Sequence, residues 1–172
     1  MDIREKVLEI RAGRNFVEFQ KYFKEHPSEY KKLIELINSK EAYPIPEYAS
    51  WILVHLCKSD APKVQSFYKT IVNELFVITN QSVRRNLINV IDHLVLTDYI
   101  ESELIDELIK FIQDYDNKVA VHIYSMQVLT KFVKKYPELK VEIGEIIELN
   151  SENKSPAYGA GMRKFQRKTK NI

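Results

Sequence analysis

Two interleaved series of helix-breaking positions run along the chain with a single period, and no other feature restricts its fold as much. Pro27, Pro62 and Pro137 each follow one apolar-periodic segment and precede another, with gaps of 35 and 75 residues. These are one and two units of about 37 residues, within the range of helical repeats. The mark missing from this series falls at Thr97-Asp98-Tyr99, a polar interruption after Leu94-Val95-Leu96. A second series, Pro46, Ser82, Lys118 and Pro156, has gaps of 36, 36 and 38 residues. Two series with one period predict a repeated pair of helices.

Periodicity predicts helices throughout. Ile100, Leu104, Ile105, Leu108, Ile109 and Ile112 form one stripe, with Glu101, Glu103, Asp106, Glu107 and Lys110 on the opposite face. Comparable stripes run through residues 28–37, opened by Ser28 as a candidate cap, and through 67–78 and 139–147. Each lies in the second half of a unit. The first halves are apolar on more sides: Trp51 to Leu56, then Leu87 to Leu94, then Val119 to Phe132. Helices of that kind must be covered on most sides, so they are expected to lie between neighbouring helices. Phe76-Val77-Ile78 and Val119-Ala120-Val121 are rich in strand formers, but helical stripes of three turns or more continue through both. The expectation is one all-α domain over residues 1–172, of about nine or ten helices. Its units are 1–39, 43–80, 81–115 and 117–150, with a final half unit at 154–168, and Ala12-Gly13-Arg14-Asn15 breaks the first helix.

Glycine is scarce: four residues, where average usage of about 7% would supply a dozen. Phosphate-cradling loops, dinucleotide fingerprints and tight hairpins all need backbone positions that glycine tolerates best, so these are excluded. Cys57 is the single cysteine, which fits a reducing compartment and excludes an internal disulfide. His26, His55, His93 and His122 lack the short spacing of a metal pair, so neither a metal nor a cofactor is expected. No apolar run approaches the length of a membrane span, and Met1 to Lys6 does not resemble a signal peptide, so a cytoplasmic protein is expected.

Ser82-Val83-Arg84-Arg85-Asn86-Leu87 looks like the start of a HEAT first helix, and Asn117-Lys118-Val119-Ala120-Val121-His122 like a degenerate copy. Ser155-Pro156-Ala157-Tyr158-Gly159-Ala160 occupies the same place in the last half unit. With the period, these segments resemble the HEAT/armadillo-like α-solenoids, although the usual Asp and Arg ladder between units is scarce. The resemblance implies a right-handed α-α superhelix, and a non-enzymatic scaffold that holds partners on the surface of its second helices.

The net charge of +2 conceals two opposed blocks. Residues 81–117 carry three basic and eight acidic side chains, and residues 151–172 carry six basic and one acidic. Glu101, Glu103, Asp106 and Glu107, together with Glu142, Glu145 and Glu148, therefore form a candidate strip for a protein partner with a basic segment. Arg163, Lys164, Arg167 and Lys168 are candidate anion contacts. A nucleic-acid role would use Arg84, Arg85 and this basic tail, but the acidic second helices would repel a phosphate backbone, so nucleic acid is not the expected partner. Self-association, tail to acidic block, is the remaining candidate.

Overall fold

The computed structural model describes residues 2–13, 16–152 and 155–172, and every regular element among them is helical. In chain order these are α1 (Ile3–Arg11), α2 (Phe16–Glu25), α3 (Glu29–Ile37), α4 (Ile45–Ser59), α5 (Ala61–Gln65) and α6 (Tyr68–Val77). They are followed by α7 (Gln81–His93), α8 (Glu101–Gln113), α9 (Val119–Lys135), α10 (Lys140–Leu149) and α11 (Pro156–Thr169). A 3-10 turn, Pro137–Leu139, leads into α10. The helices that open successive pairs start at residues 45, 81, 119 and 156, spacings of 36, 38 and 37.

Eleven α-helices among the described residues exceed the nine or ten expected, and the extra one is α5. Asp60, at φ −156°, ends α4, and Pro62 then sits in the first turn of a new helix, where its missing N–H costs nothing. What read as a turn is a helical turn. Ser28 does not cap α3, since its side chain makes no cap hydrogen bond. The break after α1 is present at Ala12 and Gly13, where Gly13 takes φ +80°; Arg14 and Asn15 lie outside the described residues, as does Lys154 at the start of the last half unit. Gly13 is suited to that left-handed backbone because it has no Cβ to clash.

The chain forms two compact units, Met1–Val95 and Leu96–Ile172. The first is organised on α4, which packs against α1, α3 and α7. Nine of its fifteen residues are buried, among them Ile45, Ala49, Ile52, Leu53, Leu56 and Cys57. α3 contributes Tyr30, Leu33, Ile34 and Ile37 to this core, and α7 contributes Val83, Leu87, Ile88, Val90 and Ile91. Each such aliphatic side chain stabilises the fold by about 1.5–3 kcal/mol when fully buried. Phe19, Phe23 and Tyr30 add an edge-on aromatic series with centroids 4.8 and 5.0 Å apart. Burial, with Asp60 and then Cys57 adding, pushes the Tyr30 hydroxyl up to about 12.

The second unit is organised on α9, which packs against α8, α10 and α11. The turn before it is held from within: Asn117 Nδ2 donates to the Phe111 carbonyl at 3.1 Å, and His122 Nε2 lies 3.0 Å from the Asp114 carbonyl. α11 is capped by Ser155 and anchored by Tyr158, which is fully buried and donates its hydroxyl to the Ile147 carbonyl at 3.0 Å. The chain's last glycine explains how closely α11 approaches α9. A Cβ at Gly161 would lie 3.2 Å from Met126 Sδ and 3.3 Å from Ile123 Cγ1.

The glycines of this unit predict opposite effects on stability. Gly161→Leu overfills the α9–α11 seam and should cost about 1–3 kcal/mol. At Gly144 an added Cβ would meet only Phe165 at 3.9 Å, an ordinary contact, so Gly144→Ala should gain helix propensity worth up to about 1 kcal/mol. Thermal midpoints of the two variants check both signs.

Candidate functional site

α8 buries Leu104, Leu108, Phe111 and Ile112, an i, i+4, i+7, i+8 stripe that turns Glu103 and Asp106 to solvent. α10 buries Ile143 and Ile147 and leaves Glu142, Glu145 and Glu148 exposed. The two helices pack against one another, so five of the seven expected carboxylates stand exposed on neighbouring helices of one unit. Among the described residues none of these five has an ion-pair partner.

The other two carboxylates are engaged within the chain. Glu101 accepts from Lys135 Nζ at 2.8 Å and from the Tyr136 hydroxyl at 2.6 Å. Lys135 also reaches Asp98 Oδ1 at 2.8 Å. That hydrogen bond holds the Asp98 carboxyl below the usual carboxylate range, and the bonds to Asp98 and then Glu101 lift the Lys135 ammonium above its ordinary value. Glu107 lies 3.5 Å from Lys110 Nζ.

The four candidate anion contacts all lie on α11. Arg163, Arg167 and Lys168 are exposed, while Lys164 is half-buried beside Gln127 and Thr130 of α9. The helix buries Tyr158, Phe165 and Thr169 on its other side. Among the described residues, none of these four cations pairs with a carboxylate of the strip. Arg84 and Arg85 diverge. The Arg84 guanidinium donates to the Ile78 carbonyl at 3.0 Å and so ties down the approach to α7. Arg85 faces a cleft.

This cleft, of about 410 Å³, is lined by Tyr43, Glu47, Tyr48 and Trp51 at the entry of α4 and by Ser82, Arg85 and Asn86 on α7. Its floor is a buried polar chain: Asn86, 4% exposed, donates from Nδ2 to Ser50 Oγ at 2.9 Å and accepts from Arg85 Nε at 3.3 Å. Glu47 Oε1 accepts from Asn80 Nδ2 at 2.7 Å, and its Oε2 is buried without a hydrogen-bond partner among the described residues. Trp51 was expected in the covered part of α4, but it is 36% exposed at the rim, and Tyr43 is 65% exposed. Behind Trp51 stand His55 and Phe16, with ring centroids 4.1 and 5.3 Å away. Burial, and secondarily the charge of Lys58, lowers the His55 pKa below its usual value.

A model of the HEAT repeat domain matches residues 4–170. The chain belongs to the HEAT repeat family. No curated protein and no solved structure matches it. The segments that resemble the starts of HEAT first helices fall at helix starts: Ser82 in the first turn of α7, whose cap is Asn80, Lys118 at the cap of α9 and Ser155 at the cap of α11. A helical repeat of this family typically serves as a non-enzymatic scaffold for protein interactions. Among the described residues no helix is long and apolar enough to cross a membrane, and no three His, Cys, Asp or Glu side chains are grouped to hold a metal. Cys57 is buried with its Sγ 3.9 Å from the Val90 carbonyl, away from solvent.

Reading helices singly misses the cleft. Its signal is Tyr48 and Trp51, one turn apart on α4, taken together with Ser82 and Arg85, which share the same three-residue step in the first turns of α7.

Trp51 is the only tryptophan, so its emission reports on this site alone. Protonated imidazole quenches indole, and the fluorescence should therefore fall on acidification, with a midpoint below the ordinary histidine value of about 6.5. His55→Gln should abolish this step in a fluorescence titration.

Proposed function

We propose that this HEAT repeat protein is a protein-interaction scaffold that captures a cationic segment of its partner on the carboxylates of α8 and α10. The observation that carries the reading is the exposure of Glu103, Asp106, Glu142, Glu145 and Glu148 on two helices packed together, with no cation of the described chain bound to them. Carboxylates of one sign on two helices packed together repel one another in the free protein, and a basic segment relieves that repulsion on docking. Glu101 and Glu107 contribute less, because Lys135, Tyr136 and Lys110 already share their charge. Among the described residues no cation of α11 is paired with the strip, which leaves its carboxylates open to a partner. Exposed charge of this kind accelerates encounter more than it slows release, and it is screened beyond about 10 Å at 0.1 M salt.

The combined variant Glu103→Lys, Glu145→Lys should therefore lose basic proteins from pull-downs out of native lysate. It should also slow association by about tenfold or more at low salt, an effect that shrinks as salt is raised. An unchanged set of partners would remove the strip from consideration. Sedimentation of the unmodified protein at varied salt identifies the case in which the cationic segment is α11 of a second copy.

A further inference from the structure

We propose that the cleft between the entries of α4 and α7 is a second recognition site, which receives an acidic segment of a protein partner. Arg85 takes the carboxylate of that segment, and the rings of Tyr43, Tyr48 and Trp51 take the apolar residue beside it.

Three observations select this occupant. The first is residue type. Trp, Tyr and Arg are the side chains that most often dominate protein-protein affinity, and here they line one concavity of about 410 Å³, room for a short run of side chains and not for a folded element.

The second is the state of the polar groups. Arg85 is held through Nε by Asn86, itself fixed by Ser50, and its two terminal nitrogens have no partner among the described residues. A guanidinium held by a buried side chain has already lost part of its rotamer freedom, so a carboxylate docking on it orders little more. The α4 and α7 N-termini add positive partial charge on the same side. Glu47 is the opposing group. Its Oε1 is committed to Asn80 and its Oε2 is buried, so the charged group the cleft presents to an incoming chain is the Arg85 guanidinium, with the Ser82 hydroxyl able to donate beside it.

The third observation concerns shape. Tyr48 and Trp51 are inclined at 51° with centroids 6.4 Å apart, so they present no parallel pair to sandwich a nucleobase. Among the residues lining the cleft Arg85 is the single cation, where a nucleic-acid track has a row of them. A peptide needs neither. The site lies in the first compact unit and carries a charge requirement opposite to that of the strip, so the two proposals stand or fall separately.

The test uses the full chain and a random peptide library displayed on phage, selected on the wild type and counter-selected on Arg85→Glu. Recovered peptides are synthesised and titrated with Trp51 emission as the readout. The expected consensus pairs Asp or Glu with an aromatic or aliphatic neighbour. Arg85→Glu should weaken these peptides by at least about tenfold and Arg85→Lys by less, since lysine keeps the charge and loses the fork. Glu47→Gln, which preserves the contact with Asn80 and removes the opposing charge, should leave them as tight as on the wild type or tighter. Circular dichroism establishes that each variant is folded, and Arg85→Lys keeps the test open if Arg85→Glu is not. The proposal is overturned if the consensus carries Lys or Arg, or no charge; if no peptide discriminates wild type from Arg85→Glu or, where that variant is unfolded, from Arg85→Lys; or if Glu47→Gln abolishes binding, which would mark a seat for a cation. It is equally overturned if a single-stranded oligonucleotide shifts Trp51 emission in an Arg85-dependent way.

Discussion

A helix whose apolar residues run round most of its circumference cannot bury them against a single neighbour, and α4 and α9 show what that demands. α4 is enclosed by α1, α3 and α7, and α9 by α8, α10 and α11. Covering a first helix therefore requires material from the repeats before and after it, and the side-chain hydrogen bonds follow the same logic. Arg4 to Glu41, Asn86 to Ser50 and Lys135 to Asp98 join residues 37, 36 and 37 positions apart, one repeat in each case. Apolar burial supplies most of the energy; of the three clasps the buried Asn86–Ser50 bond is the one that would be costly to leave unmade, while the exposed pairs of Arg4 and Lys135 add little.

The charges are sorted by the same architecture. Second helices need only one apolar stripe, so α8 and α10 can afford a face of carboxylates, while the densely buried first helices cannot. Lys135 marks where this freedom ends. It projects from the last turn of a first helix, and it binds the carboxylates at the approach to α8 and in its first turn, Asp98 and Glu101. Part of the acidic block is thus structural, and the part left over is the surface argued to recruit a partner.

The helical class and the starts of α4, α7, α9 and α11 were legible in the sequence because prolines, caps and apolar stripes are local signals. Pro156 and Ser155 announce α11, and Leu104 to Ile112 announce the buried side of α8. What escaped depended on neighbours. Trp51 belongs to an apolar run and reads as core, yet the helix it sits on turns it to the rim beside Tyr43 and Tyr48, where exposure is decided by where α7 lies. Glu101 reads as one carboxylate of seven until Lys135, 34 residues on, is placed against it. Ser28 has the chemistry of a cap and the wrong backbone angles to act as one. In each case the residue type was informative and the partner was a full repeat away or set by backbone geometry.

The clasps of one-repeat reach also say where this chain can change its length. An inserted residue inside a helix rotates everything beyond it by about 100°, since a helix has 3.6 residues per turn. Within α4 such an insertion after Ser50 would leave Ser50 on Asn86 while swinging Trp51 and His55 off the rim. Between helices the same insertion is absorbed by the connection. The starts of α4, α7, α9 and α11 stay 36, 38 and 37 residues apart although these helices run from 13 to 17 residues, so the connections take up what the helices leave.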